Sequence, residues 1–209
     1  DIASMGGEPA WALMDLVAPP DMPVTTLDGI YRGASRLARR HKLALVGGDT
    51  AQADRLQIHV FAVGFAPAGK AILRSGARPG DVLFVTGILG GSIRGKHCSF
   101  EPRLREGRFL RRWATSMIDL SDGISKDLRH ILDMSGVGAV LDAGAIPVSR
   151  AARSMPDRRT PLLHALGDGE DFELLFTVPR VRIRAFAAAW ARTFKLRCTP
   201  IGFTTTERG

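Results

Sequence analysis

Apolar residues along the chain fall into short runs, and the period of each run predicts an element. Leu27, Ile30, Leu37 and Ala38 form one stripe and Arg32, Arg36, Arg39 and Arg40 another, which predicts an amphipathic helix over about 27–41 with Thr26 as its cap. Leu43 to Val46 is a short apolar run that ends at Gly47-Gly48-Asp49. Strands are predicted over 57–65, 82–86, 139–142 and 199–203. A further strand carries Phe172, Leu174, Phe176 and Val178 on one face, with Glu173 opposite. Helices are predicted over 103–115, over 124–132 with Gly136 as the stop, over 162–166 and over 180–195. Residues 2–17 read as a helix interrupted at Gly6-Gly7-Glu8-Pro9, followed by a linker stiffened by Pro19, Pro20 and Pro23. Residues 149–160 read as a basic loop. Helix and strand alternate without repeats, which predicts an α+β fold in two parts. Pro67-Ala-Gly69 marks the boundary, giving domains 1–69 and 70–209.

Composition narrows the class. The hydrophobic share of 45% over 209 residues is that of a globular chain, and no apolar run is long enough to span a membrane. The start has no signal-peptide pattern and no Met, and it opens directly into a predicted helix; it reads as the start of a fragment. Cys98 and Cys198 lack metal-site spacing, so a reduced, cytosolic pair is expected. The five histidines suggest no ligation and no nucleophile–base pair. The net charge of +8 is concentrated between Arg94 and Arg112 and between Arg180 and Arg197. No nucleic-acid motif and no interleaved aromatics accompany it, so nucleic acid is not expected. Solvated helix faces account for such arginines, and an anionic small molecule would suit the same field.

The candidate chemistry lies in three loops where an acid stands beside glycine. Met117 to Leu132 places Asp119, Ser121, Asp122 and Gly123 where a strand turns into a helix, with Asp122 at the predicted N-cap. Two carboxylates three residues apart repel a bare phosphate unless a hard cation lies between them, so the motif suits a Mg²⁺-phosphate site. A helix cap with a spare surface Asp is the other reading. The second loop is Gly47-Gly-Asp49 and the third Gly169-Glu-Asp171. A glycine turn, Gly87, Gly90 and Gly91, follows a strand but matches neither the P-loop nor the dinucleotide fingerprint.

Taken in order, with Leu73-Arg-Ser-Gly-Ala-Arg-Pro-Gly-Asp81 between the first two, these stretches resemble the thiamine-monophosphate kinase family. Its superfamily also holds aminoimidazole ribonucleotide synthetase, selenophosphate synthetase and the hydrogenase-maturation dehydratase. Asp1 to Trp11, Val46 to Thr50, Val85 to Ser92, Ile118 to Leu132, Gly136 to Ala139 and Gly169 to Pro179 carry the resemblance, which covers essentially the whole chain.

The resemblance implies ATP-dependent phosphorylation of thiamine phosphate to thiamine diphosphate by direct in-line transfer, with Mg²⁺ and without a covalent enzyme intermediate. It implies Asp1, Asp49, Asp119 and Asp122 as Mg²⁺ ligands. It implies Tyr31, Gly48, Asp49, Arg74 and Ser121 as ATP contacts, and Glu170 as a contact to thiamine phosphate. No side chain is assigned a catalytic role beyond metal and phosphate positioning. It further implies a cytoplasmic homodimer with the two-domain architecture of aminoimidazole ribonucleotide synthetase. Residues 1–69 would be the back half of the N-terminal ATP-binding and dimerisation domain, and residues 70–209 most of the C-terminal domain. The family's early Gly-Asp-Asp and Ser-Thr-Asp-Thr motifs are absent. Gly91 stands where its Gly-Asp-Ser is usual, and Asp168 where its Gly-Gly-Glu is usual. These departures keep two other readings open: a related ATP-using synthetase acting on another phosphorylated small molecule, and a non-catalytic fragment that keeps only the fold.

Overall fold

The computed structural model describes residues 1–207. The chain forms two compact units, one of Gly7–Pro67 with Ile2, the other running from Ala68 onward with Asp1 and Ala3–Gly6.

The smaller unit contains β1 (Glu8–Ala18), α1 (Val24–Arg40), β2 (Ala44–Gly47), β3 (Thr50–Gln52) and β4 (Gln57–Phe65). The helix expected over 2–17 is not there: Ala3–Met5 is a single 3-10 turn and the rest is strand. Ala12, Met14, Leu16 and Ala18 are buried at period two, but Trp11 and Leu13 between them are apolar and exposed. An apolar outer face hides the alternation that marks a strand. β4 pairs antiparallel along one edge of β1, from Glu8↔Phe65 to Val17↔Gln57. β2 and β3 run parallel along β1 in succession, at Trp11–Leu13 and at Leu16–Ala18. α1 starts at Val24 with Pro23 at its cap position, so Thr26 is not the cap. Proline's fixed φ already sets up the first turn, and the Thr26 amide donates to the Pro23 carbonyl at 2.9 Å.

The larger unit contains β5 (Val82–Thr86), α2 (Leu104–Leu110), β6 (Ser116–Asp119), α3 (Ile124–Ser135) and β7 (Gly138–Leu141). They are followed by α4 (Arg150–Arg153), α5 (Pro161–Gly167), β8 (Leu174–Val178), α6 (Ile183–Thr193) and β9 (Cys198–Thr205). Its sheet has the order β6-β8-β5-β9-β7, and every neighbouring pair is antiparallel. Helices cover both faces. On one, Leu83, Val85, Ile118, Leu175 and Ile201 pack with Ile124, Leu128 and Ile131 of α3 and Ala165 of α5. On the other, Phe84, Met117, Phe176 and Val178 pack with Leu110 of α2 and Phe186 and Trp190 of α6. All five residues of β8 are buried, Phe172 lies outside the strand, and Glu173 is 1% exposed rather than on an open face. The stretch expected as a basic loop contains α4, capped by the Ser149 side chain.

A row of hydroxyls ties β6 to β8. Ser116 Oγ and Thr115 Oγ1 each lie 2.7 Å from Thr177 Oγ1, and Thr115 Oγ1 donates to Asp81 Oδ2 at 2.7 Å. Among the described residues no helix is long and apolar enough to cross a membrane.

Candidate functional site

Because β6 and β8 are antiparallel, the end of β6 at Asp119 and the start of β8 at Leu174 share one end of the sheet. Two loops meet there. The Leu120 amide donates to the Glu173 carbonyl at 2.9 Å, Phe172 to Leu120 at 2.8 Å, and Glu170 to Ser121 at 2.7 Å. A Cβ on Gly169 would lie 2.5 Å from the Ser121 carbonyl oxygen, so the close approach requires glycine. Asp119, Ser121, Asp122 and Glu170, distant in sequence, thus stand on adjoining backbone. Asp119 Oδ1 accepts from Ser4 Oγ at 3.0 Å and lies 3.8 Å from the Asp1 backbone nitrogen. Asp1 and Arg74 line one cavity of about 320 Å³ with Ser4, Ile72, Leu73 and Met117.

Asp122 does not cap α3. The cap position is Gly123 at φ 95°, with no side-chain bond. The Asp122 amide instead donates to Asp127 Oδ2 at 3.0 Å, from the first turn of α3. Asp127 reaches back from the helix to an amide that precedes it, and the Asp122 carboxylate is left exposed. Asp127 is 2% exposed. Burial first, and then the charges of Asp122 and Asp119, raise its pKa above the usual carboxylate value, although amides of Asp122 and Ser121 pull the other way. Carboxylates that crowd one another in this way fit a hard cation. Among the described residues no three acidic, His or Cys side chains stand at the spacing of an all-protein metal site. A cation such as Mg²⁺ keeps waters and substrate phosphates in its shell and needs only one or two carboxylates.

The glycine turn after β5 is committed inward. The Gly90 amide donates to both oxygens of Asp171, at 3.1 and 2.8 Å, and the Gly91 amide to Asp168 Oδ2 at 3.0 Å. Ser92 Oγ donates to Asp171 at 2.5 Å. These amides hold carboxylates of the chain, so this turn is no phosphate cradle. Gly91 is in the left-handed region at φ 72°, and a Cβ there would meet the Ala152 nitrogen at 2.6 Å. The two departures noted in the sequence, Gly91 and Asp168, are therefore partners: the backbone of one is bound by the side chain of the other.

Burial alone would raise the pKa of Glu173, but the Arg103 guanidinium and the Lys96 ammonium overcome it and hold the carboxyl below its usual value. Arg103 donates Nε to Oε2 at 2.7 Å and Nη2 to Oε1 at 2.6 Å, while Thr86 adds a hydroxyl at 2.7 Å. Asp171, 2% exposed, is shifted the other way, because burial outweighs its bonds to Ser92 and Gly90.

In the smaller unit, Gly48 and Asp49 form the break between β2 and β3. A Cβ on Gly48 would lie 2.0 Å from the Met14 carbonyl oxygen, so only glycine fits against β1. The Asp49 amide donates to Asp15 Oδ1 at 2.8 Å, and Asp49 Oδ1 accepts from its neighbour Thr50 at 2.8 Å. Tyr31 is exposed on α1. Asp15, Asp127 and Arg103 are not candidate site residues in the sequence, and Asp168 stands out there only as a departure from a motif. Asp15 and Asp127 carry a signal, an acid within an otherwise apolar stripe; the partners of Asp168 and Arg103 carry none, since they are remote in sequence.

The first 66 residues match the family model described as AIR synthase related protein, N-terminal domain. Thiamine-monophosphate kinase of Rhodopirellula baltica is 40% identical over 183 residues, 85% of this chain and 57% of that protein. The chain spans 64% of the length of the same enzymes of Salmonella typhimurium and Escherichia coli. The crystal structure of thiamine-monophosphate kinase from Stenotrophomonas maltophilia superposes with a TM-score of 0.88 at 32% identity, over 100% of this chain and 73% of its own. AaThiL complexed with AMPPCP and TMP superposes at 0.84 with 30% identity, over 100% and 71%.

Proposed function

The chain belongs to the thiamine-monophosphate kinase family, and from that premise we propose that it takes part in ATP- and Mg²⁺-dependent phosphorylation of thiamine phosphate to thiamine diphosphate. The observation that carries the reading is the junction of the Asp119–Gly123 and Gly169–Glu173 loops, which sets the backbone of Asp119 and Asp122 beside that of Glu170. AMPPCP and TMP occupy a relative of the same fold, which supports a nucleotide and a small phosphate ester as the two substrates.

Asp1, Asp119 and Asp122 would hold Mg²⁺ on the larger unit, and Asp49 is proposed as a ligand on the smaller unit. When bound, the cation neutralises phosphate charge during transfer. Arg74, on the rim of a recess walled by Ile72, Leu73 and Met117, offers a guanidinium to an anionic phosphate. Ser121 lies beside Asp122, and Glu170 projects from the adjoining turn toward the acceptor. Tyr31 and Gly48 are proposed ATP contacts on the smaller unit. The smaller unit would be part of the ATP-binding and dimerisation domain, and the larger unit the C-terminal domain. The chain's own contribution is to position the reactants and exclude alternative geometries.

A homodimer belongs to the same proposal. Trp11, Leu13, Val46, Phe61 and Val63 line an open apolar depression of about 360 Å³ on the smaller unit, a surface of the kind that marks association. Two free cysteines suit a cytoplasmic setting.

Calorimetric titration of AMPPCP with and without Mg²⁺ tests the reading. Binding that requires Mg²⁺ and weakens at least about tenfold in Asp122→Asn or Asp49→Asn is expected, since each loses a charged ligand. Binding indifferent to Mg²⁺ would remove the carboxylates from the site.

A further inference from the structure

The segment between Ser92 and α2 carries none of the candidate site residues, yet its Lys96, Phe100 and Arg103 touch the acidic turn. The Phe100 ring stacks on Phe172, with centroids 4.2 Å apart and planes at 26°. The Arg103 fork closes on Glu173, the next residue. Between Gly169 and Glu173 the backbone is strained: Glu170 has φ 54° and Phe172 φ 49°, both non-glycine residues in the left-handed region. Residues with a Cβ avoid that region, bulky ones most of all, and persist there only when their surroundings over-determine them. The Glu170 and Phe172 amides bond to the Ser121 and Leu120 carbonyls, which fixes the backbone against the Asp119–Gly123 loop. The side chains of Phe172 and Glu173 are fixed by Phe100 and Arg103. The Glu170 carboxylate is exposed, so its direction is set by the backbone that carries it.

We propose that Phe100 and Arg103 are positioning residues for the acceptor substrate: by clamping Phe172 and Glu173 they keep the turn left-handed and fix where Glu170 presents its carboxylate. The inference rests on the kinase reading, in which Glu170 faces the thiamine phosphate. It bears first on the acceptor, because among the described residues the clamps bond Phe172 and Glu173, and the turn meets the candidate ATP contact Ser121 only through backbone. It also gives the basic stretch after Ser92 a function: Lys96, 3.1 Å from Glu173, completes the charge balance that lets Glu173 stay buried under the turn.

The test uses Phe100→Ala, Phe100→Tyr and Arg103→Lys in the chain, read in two ways. The first is amide hydrogen exchange without ligand. An aromatic pair of this geometry slows local opening several-fold, so Phe100→Ala should accelerate exchange at Glu170 and Phe172 by up to about tenfold while Leu175 and Phe176 in β8 keep their rates. Phe100→Tyr should restore the wild-type rates. Arg103→Lys, which keeps the charge but loses the fork, should shift the same two amides. The second readout is binding of thiamine phosphate and of AMPPCP with Mg²⁺. Phe100→Ala should weaken thiamine phosphate by the factor seen in exchange and leave AMPPCP unchanged. Unchanged exchange at Glu170 and Phe172, acceleration spread over β8, or equal weakening of both ligands would each overturn the proposal. If the unaltered chain binds neither ligand, the kinase reading fails and the positioning role falls with it, whereas the exchange rates still decide whether Phe100 and Arg103 clamp the turn.

Discussion

The two units of this chain bury their sheets to opposite degrees. In the larger one, every residue of β8 is buried and helices close both faces. In the smaller one, eight of the nine residues of β4 are exposed, and α1 buries only Ala38. Phe186 and Phe61 are the same residue type, yet one is 1% and the other 60% exposed. Burial of an aromatic side chain is among the larger single contributions to stability, so the larger unit holds itself together. The smaller unit offers its apolar face outward. An acidic turn strained at two residues belongs in the first kind of setting, where packing can resist it.

Substitutions can break or sharpen that contrast. Phe186→Ala should cost about 3–5 kcal/mol, because it opens a cavity among Phe84, Trp113, Phe176 and Trp190; chemical denaturation followed by tryptophan fluorescence measures it. Gly91→Ala should cost about 2 kcal/mol, from a left-handed alanine pressed on the α4 backbone, and the same denaturation curves report it. Wild-type stability in that variant would mean that the turn can relax away from Asp168. Phe61→Ser should change the unfolding free energy by less than about 0.5 kcal/mol, as an exposed position does. Its effect should appear instead as weakened self-association in analytical ultracentrifugation. A chain that is monomeric before and after the change would leave the open sheet without a partner of its own kind.

The smallest expected effect depends on pH. His164 is 1% exposed, with Nδ1 3.0 Å from Asp168 and Nε2 3.0 Å from Asp157. Its bond to Asp168, opposed by burial and reinforced by Asp157, raises its pKa above the ordinary 6.5. The folded state binds that proton more tightly than the unfolded state. The stabilisation is therefore complete below 6.5 and fades as the pH rises through the raised value. Melting temperature should fall over that window, and His164→Gln should flatten the slope. Arg159 also bonds Asp168, at 2.8 Å, and keeps that carboxylate paired when the histidine loses its proton.

The same contrast decides what could be read from the sequence. Apart from α4, the helices and strands of the larger unit were legible because their apolar stripes face a core, and period reports burial. β1 was misread because Trp11 and Leu13 are apolar on the face that stays exposed. Asp119, Asp122 and Glu170 could be picked out, since an acid beside glycine at a strand end is a local signal. Their neighbours could not. Whether Asp122 or Asp127 organises the start of α3 depends on the φ of Gly123, which composition does not fix. The pairing of Gly91 with Asp168 joins residues whose adjacency is created only when β5 and β8 lie side by side. Taken separately, each looked like damage to a motif; together they form one hydrogen-bonded unit.

The hydroxyl row between β6 and β8 has a consequence for the opposite end of the same strands. A carboxylate can only accept, so Asp81 sets the sense of the row: Thr115 donates to it, Thr177 to Thr115, and Ser116 to Thr177. This makes the row an index mark. Sliding β6 by one residue, about 3.3 Å, would turn every side chain to the wrong face and set Ser116 opposite Phe176 or Val178. Ser116 opposite Thr177 leaves Asp119 opposite Leu174, and that places Ser121 under the Glu170 amide. Three small alcohols at the far end of the sheet thus act as the zero of the ruler from which the distance between the acidic loops is measured.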